Sequence, residues 1–186
     1  TFMGWYDNII DGNKYTSVSD VPDEDMVLYA IWEPETYIVK FNANGGTGEM
    51  FDQAFTYGVE QTLAVNTFSR EGYTFVGWAT SPNGDVVYES EESVTLTSSQ
   101  TLYAVWTVNT YNITFNANGG IGKMPDQVFT YNVEQALSHN EFSLEGHTFV
   151  GWATNVNGNV VYADNTVVKN LTLENNVKFN FYAVWT

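Results

Sequence analysis

The sequence predicts a mainly β chain assembled from tandem copies of one small module, and three observations carry that expectation. Aromatic residues make up 16% of the chain, as six Trp, twelve Tyr and twelve Phe. With many Thr and Val beside them, they favour strands over helices. Apolar clusters are separated by Asn, Gly, Thr and Ser, the punctuation of turns between short strands. The third observation is internal repetition. Phe41–Tyr88 aligns without a gap on Phe115–Tyr162 at an offset of 74, with 34 of 48 positions identical. Period-level self-similarity of this kind marks a repeat architecture.

The repeated words are FNANGG, MxDQxFTY, VEQxL, FSxEG, TFVGWAT and NGxVVY, and each unit closes on the same strand. That strand is LYAVWT at Leu102–Thr107 and FYAVWT at Phe181–Thr186. Trp106 and Trp185 are 79 residues apart, so the last unit holds five extra residues just before its closing strand. The N-terminus carries a partial copy. Thr1–Trp5 (TFMGW) matches Thr74–Trp78, and Leu28–Trp32 (LYAIW) matches Leu102–Trp106. The expected organisation is therefore a half repeat with linker over 1–36, a full repeat with linker over 37–110, and a full repeat with the insertion over 111–186. The half copy opens inside a strand word, which is expected of a longer array that has been cut.

Within a unit, Tyr111, Ile113 and Phe115 alternate with polar residues and read as the inward face of a strand. Tyr37, Val39 and Phe41 are their counterparts. Asn118-Gly119-Gly120 (Asn44-Gly45-Gly46) accepts positive φ and turns the chain, so Gln127–Tyr131 is expected to pair back as a hairpin. Gly72 and Gly146 restart the chain before TFVGW. Strict alternation there sends Phe75 and Gly77 to one side and Val76 and Trp78 to the other, with Gly77 admitting another strand closely. Asn83-Gly84 and Asn157-Gly158 turn the chain into Val86-Val87-Tyr88 and its copy. A short helix is expected around Val133–Ser138 (VEQALS). The connectors Glu33–Thr36 and Thr107–Thr110 are four residues long. Each spans at most about 14 Å, so neighbouring repeats should sit almost in contact, as a rod. A unit of this size is marginal alone, and stacking on a neighbour adds stability.

Charge and composition exclude several function classes. A net charge of −16, with no local basic patch, repels a nucleic-acid backbone and an anionic membrane surface. The chain has no cysteine, which removes disulfides and thiolate metal sites and fits a bacterial surface protein. No apolar run is long enough to span a bilayer, and Thr1 opens directly into structured-looking sequence without a signal peptide. If the parent is exported, its address and anchor are expected outside this chain.

No catalytic, cofactor or metal site is expected. His139 and His147 align with Val65 and Tyr73, so neither histidine recurs between the full copies. They read as surface or packing residues. There is no G-x-S-x-G motif. The glycine-rich turn joins strands and opens no helix for a phosphate. The acidic groups Asp20, Asp23, Glu24 and Asp25, then Glu89, Glu91 and Glu92, and Asp7 with Asp11 lack the spacing that wraps calcium. Solvated loops are expected there. Paired carboxylates for glycoside cleavage would have to recur in a repeat whose acids mostly do not match. The tryptophans Trp5, Trp78 and Trp152, with Trp32, Trp106 and Trp185, hold equivalent strand positions and read as core, with a sugar-stacking platform as the alternative.

A hairpin ending in N-x-G-G, then G-Y-T-F-x-G-W, then a closing L-Y-A-x-W resembles the Listeria–Bacteroides repeat, the B-repeat type of internalin B. The N-terminal FMGWYDNIIDGNKY followed by LYAIW is nearest to the internalin form. The sequence departs from it at Met50-Phe51-Asp52, where the last unit has Met124-Pro125-Asp126, and in the five-residue insertion. The resemblance implies β-grasp-like (ubiquitin-like) modules in a large bacterial surface protein, extracellular, acting as spacer or stalk or in adhesion. It supplies no catalytic residues. The expected partners are neighbouring repeats of the same chain, and a host surface protein or a glycan if there is a ligand. A ligand-binding module and an accessory domain of a secreted enzyme are the alternatives.

Overall fold

The computed structural model describes residues 1–17, 22 and 25–186. Among the described residues there are fifteen strands and no helix. They group into two compact units. The first comprises Thr1–Asn42, Phe51–Asn66 and Ser90–Leu102, and the second Ala43–Met50, Thr67–Glu89 and Tyr103–Thr186.

In the first unit, β1 (Phe2–Tyr6), β2 (Lys14–Tyr15) and β3 (Tyr29–Trp32) form an antiparallel sheet in the order β2-β1-β3. β4 (Thr36–Asn42) pairs antiparallel with β5 (Gln53–Thr56), Tyr37 opposite Phe55. The two-residue strands β6 (Gln61–Thr62) and β8 (Ser93–Val94) pair beside them. Val39, Phe55, Leu63 and Leu102 are fully buried there.

The second unit contains β7 (Tyr73–Ala79), paired with Tyr103–Val108 of β9 (Gln100–Val108), and the whole of the last repeat. That repeat comprises β10 (Thr110–Asn116), β11 (Gln127–Thr130), β12 (Gln135–Ala136), β13 (Phe149–Ala153), β14 (Val167–Val168) and β15 (Val177–Trp185). Its main sheet has the order β11-β10-β15-β13, in which β10 and β15 run parallel and the outer pairs antiparallel. The alternation of the sequence lands as expected. Tyr111, Ile113 and Phe115 are all buried, and the ring of Tyr111 stacks on Phe129 across the hairpin at 5.5 Å.

Two expectations are corrected. The VEQALS stretch is extended: Gln135–Ala136 is β12, paired with β14. The Gln135 amide accepts from the Thr130 N–H and donates to the Val128 carbonyl, and Leu137 buries its side chain while its N–H donates to Thr166. Side-chain bonds to the preceding strand offer this backbone an alternative to helix. The second correction is in TFVGW. A β-bulge between Phe75 and Gly77 adds one residue opposite β9, where Phe75 faces Trp106 and Gly77 faces Val105. Alternation skips at Val76, so Phe75 and Trp78 meet at 5.0 Å while Val76 points out at 44% exposure. Bulges re-aim side chains in this way. Gly77 sits at φ 152°, and a Cβ there would lie 2.5 Å from Val86 Cγ1 and 2.8 Å from the Tyr88 carbonyl. The close strand approach predicted for this glycine is present, since Tyr88 bridges to Trp78.

Candidate functional site

The feature common to all three copies is an aromatic triad at the join of the TFxGW strand and the closing strand. In the half repeat the Phe2 ring lies 5.7 Å from Trp5 and 5.1 Å from Trp32. In the next copy Phe75 lies 5.0 Å from Trp78 and 5.7 Å from Trp106, and in the last Phe149 lies 4.9 Å from Trp152 and 5.6 Å from Trp185. The bulge explains the shared geometry, because it returns Phe and Trp to one face.

What differs is the cover. In the last repeat Phe115 of β10 sits 4.7 Å from Trp152, and Phe142 packs edge-on against it at 6.2 Å. Trp152 is fully buried, and Trp185 donates its indole N–H to the Ala117 carbonyl at 2.9 Å. Trp78 is likewise fully buried, and Trp106 donates to Ala43 at 2.9 Å. In the half repeat Trp5 is 49% and Trp32 67% exposed. The core reading holds for Trp78 and Trp152, Trp106 and Trp185 are half-buried beside them, and Trp5 and Trp32 are exposed. Sequence alone placed all six at equivalent positions and could not separate them.

The N-x-G-G turn is fixed by its asparagine. Asn118 takes φ 47° and its amide donates to the carbonyls of Val156 at 3.0 Å and Ala183 at 2.9 Å. Asn44, at φ 48°, donates likewise to Pro82 and Ala104. The turn thus ties the hairpin to the closing strand, and it is a structural clamp.

The ionisable candidates scatter. His139 is exposed and touches Asp164 at 2.6 Å, while His147 is exposed on another loop. Asp7 accepts from the Asn13 backbone at 2.7 Å and from the Asn13 amide at 3.1 Å, which holds its carboxyl below the ordinary range. Asp20, Asp23 and Glu24 lie outside the described residues. Among the described residues no three His, Asp or Glu side chains converge as a metal site, and no helix is long and apolar enough to cross a membrane.

The connector before the last repeat carries a buried polar side chain that sequence reasoning missed. Asn109 is 6% exposed. Its N–H donates to the Gly72 carbonyl at 2.8 Å and its carbonyl accepts from Tyr131 at 2.9 Å. Its side-chain oxygen accepts from Thr74 Oγ1 at 2.6 Å and its amide donates to the Leu173 carbonyl at 2.7 Å. The signal available in the sequence was Asn109 aligning with Glu35.

The chain can now be set beside known proteins. The sequence profile of the Listeria-Bacteroides repeat domain matches residues 1–31, 37–105 and 111–174. A protein of Evansella cellulosilytica named as a membrane protein is 30% identical over 161 residues, covering 85% of this chain and 24% of the relative. A Gly-rich membrane protein by name, from the same organism, is 29% identical over 187 residues, covering 98% of this chain and 21% of its own length. Internalin H of Listeria monocytogenes is 32% identical over 112 residues, covering 59% of this chain and 19% of the internalin. The chain thus spans at most 24% of the length of these relatives. A triad built three times on the same words, and a profile that matches all three copies, place the chain in the Listeria-Bacteroides repeat family.

Proposed function

We propose that the chain is a non-catalytic repeat segment of a bacterial cell-surface protein, acting as a spacer or stalk and contributing to adhesion. The observation that carries this reading is the repeated aromatic triad used for folding: in the full copies Trp78 and Trp152 are fully buried with the other triad rings packed half-buried on them, and the polar residues left outside do not converge on a reaction. Membrane-protein and internalin names among the relatives support a place in the cell envelope. A charge of −16 favours solubility. We further read each module as β-grasp-like. The last repeat has that fold's mixed sheet, with the first and last strands parallel at its centre, and an extended crossover through β12 and β14 takes the place of the usual helix. Replacing the segment in its parent by an unrelated rigid repeat of equal length should preserve presentation of the flanking domains at the cell surface. Loss of presentation or attachment on that exchange would overturn the spacer reading.

A further inference from the structure

We infer that the five-residue insertion of the last repeat and Asn109 together form a lock that fixes this repeat on the preceding one, with the side-chain amide at position 109 as its key. The inference concerns the junction and stands whether or not the segment is a spacer.

The insertion falls between β14 and β15, within residues 170–176, and its ends are shaped by Asn170 at φ 52° and Asn176 at φ 60°. It bends onto the connector. The Leu173 carbonyl takes the Asn109 amide, Asn175 Oδ1 accepts from the Thr110 N–H at 3.0 Å, and the Asn176 N–H donates to the Thr110 carbonyl at 2.7 Å. Three of the loop's residues therefore serve the connector. Asn109 in turn uses every polar group it has, two toward the preceding repeat (Gly72, Thr74) and two toward the last (Tyr131, Leu173). A buried amide bonded through both its oxygen and its nitrogen favours one arrangement, because any other leaves those atoms unpaired at a cost.

Packing beside it is equally specific. Tyr131 lies edge-on to Tyr73 at 6.2 Å, and its hydroxyl donates to Glu71 at 3.1 Å. A Cβ on Gly72 would run into the Tyr131 ring. Its counterpart Gly146 has nearly the same backbone, φ 72° against 70°, with nothing within 4 Å of its Cβ position. The earlier connector is chemically different. Pro34 stands where Val108 pairs with Tyr73, and proline has no N–H for such a ladder. Glu35 replaces Asn109 and so lacks the donor that meets Leu173, and the repeat that follows it lacks the insertion. The lock is written into one connector of this chain and not into the other.

The absence of cysteine allows a clean test by paired spin labels at Thr80→Cys and Lys123→Cys, both exposed. The parent should give one narrow distance distribution. Asn109→Asp puts a second acceptor against the Leu173 carbonyl and should broaden that distribution at least twofold at neutral pH, with thermal melting of the last repeat's core retained. Gly72→Ala should broaden it, while Gly146→Ala, which carries the same backbone strain, should leave it narrow. A parent-like width in Asn109→Asp, or equal widths in the two glycine variants, would overturn the lock.

Discussion

The half repeat and the last repeat hold the same three aromatic rings at nearly the same spacings, yet one set lies open while the other centres on a fully buried Trp152 with Phe149 and Trp185 half-buried around it. Phe2, Trp5 and Trp32 differ from Phe149, Trp152 and Trp185 in what lies over them, and scarcely in their own strands. The antiparallel TFxGW and closing strands form in both, with the same bulge before the glycine. The strand pair and bulge are thus local products of their own words. Burial is a product of the FNANGG hairpin, which only the full repeats own. The comparison separates what the motif builds from what the module builds.

The sharpest way to break the comparison is to remove the cover. Phe115 is buried against Trp152 and Phe181. Phe115→Ala should cost about 3–5 kcal/mol, enough to unfold a unit of this size. Phe2→Ala, at a ring 43% exposed, should cost roughly 1 kcal/mol or less. The chain need not unfold in one step, so region-resolved hydrogen exchange is the suitable readout. Unchanged protection of β13 in Phe115→Ala would show that the hairpin is not what seals the triad.

Restoring the cover is the converse experiment. A peptide spanning residues 110–131 carries the hairpin that lies over the triad in the last repeat. Added in trans, it should reduce acrylamide quenching of the two exposed tryptophans by strand addition along β3. The effect should vanish in the Trp5→Phe, Trp32→Phe double variant. Quenching that ignores the peptide would mean that the half repeat is shaped for some other cover.

How far these regions were legible in the sequence follows from the same division. Alternation found the inward face of β10, since Tyr111, Ile113 and Phe115 obey a period of two without interruption. It failed one strand later, because a period-two reading cannot see the extra residue at Val76. Gly77 is the clue, and by itself it points to close approach of another strand and not to the bulge. The VEQALS stretch misled because its helix-compatible residues are held extended by bonds from Gln135 to the hairpin, which no local pattern displays. The insertion was visible as a count of five. Its role was not, since it depends on Asn109, 64 residues before Leu173. The Listeria-Bacteroides words themselves were legible from the start.

A subtler contrast lies in the bulge glycines. Gly151 sits at φ 155°, with Val160 Cγ1 at 2.6 Å and the Tyr162 carbonyl at 2.7 Å from a built Cβ. Gly4, at φ 139°, has the flexible side chain of Lys14 nearest to it, with Cε at 2.6 Å. Alanine should strain either backbone by about 1–3 kcal/mol. Only Gly151→Ala must also displace a neighbouring strand, so its loss of stability should exceed that of Gly4→Ala. Equal losses would assign the whole cost to φ and none to packing.

The smallest expected effect concerns one carboxylate in each region. Asp126 takes a 2.9 Å contact from Lys178 and a 2.8 Å bond from Thr114, and the lysine chiefly holds its carboxyl below the ordinary range. Asp7 is lowered too, through the neutral side chain and backbone of Asn13. Both folded pKa values are depressed. Their contribution is therefore present above the unfolded value, about 3.9, and is lost as pH falls through the folded values. Salt separates the two causes. At 1 M the screening length is about 3 Å, and an exposed ion pair loses most of its pull while a neutral hydrogen bond does not. Titrating both side chains by NMR in low and high salt should move Asp126 back toward the ordinary carboxylate range and leave Asp7 where it was. Lys178→Ala should reproduce the shift of Asp126 without salt. If both aspartates moved together, the lysine would not be the cause, and the hydroxyl of Thr114 would have to hold the Asp126 carboxylate by itself.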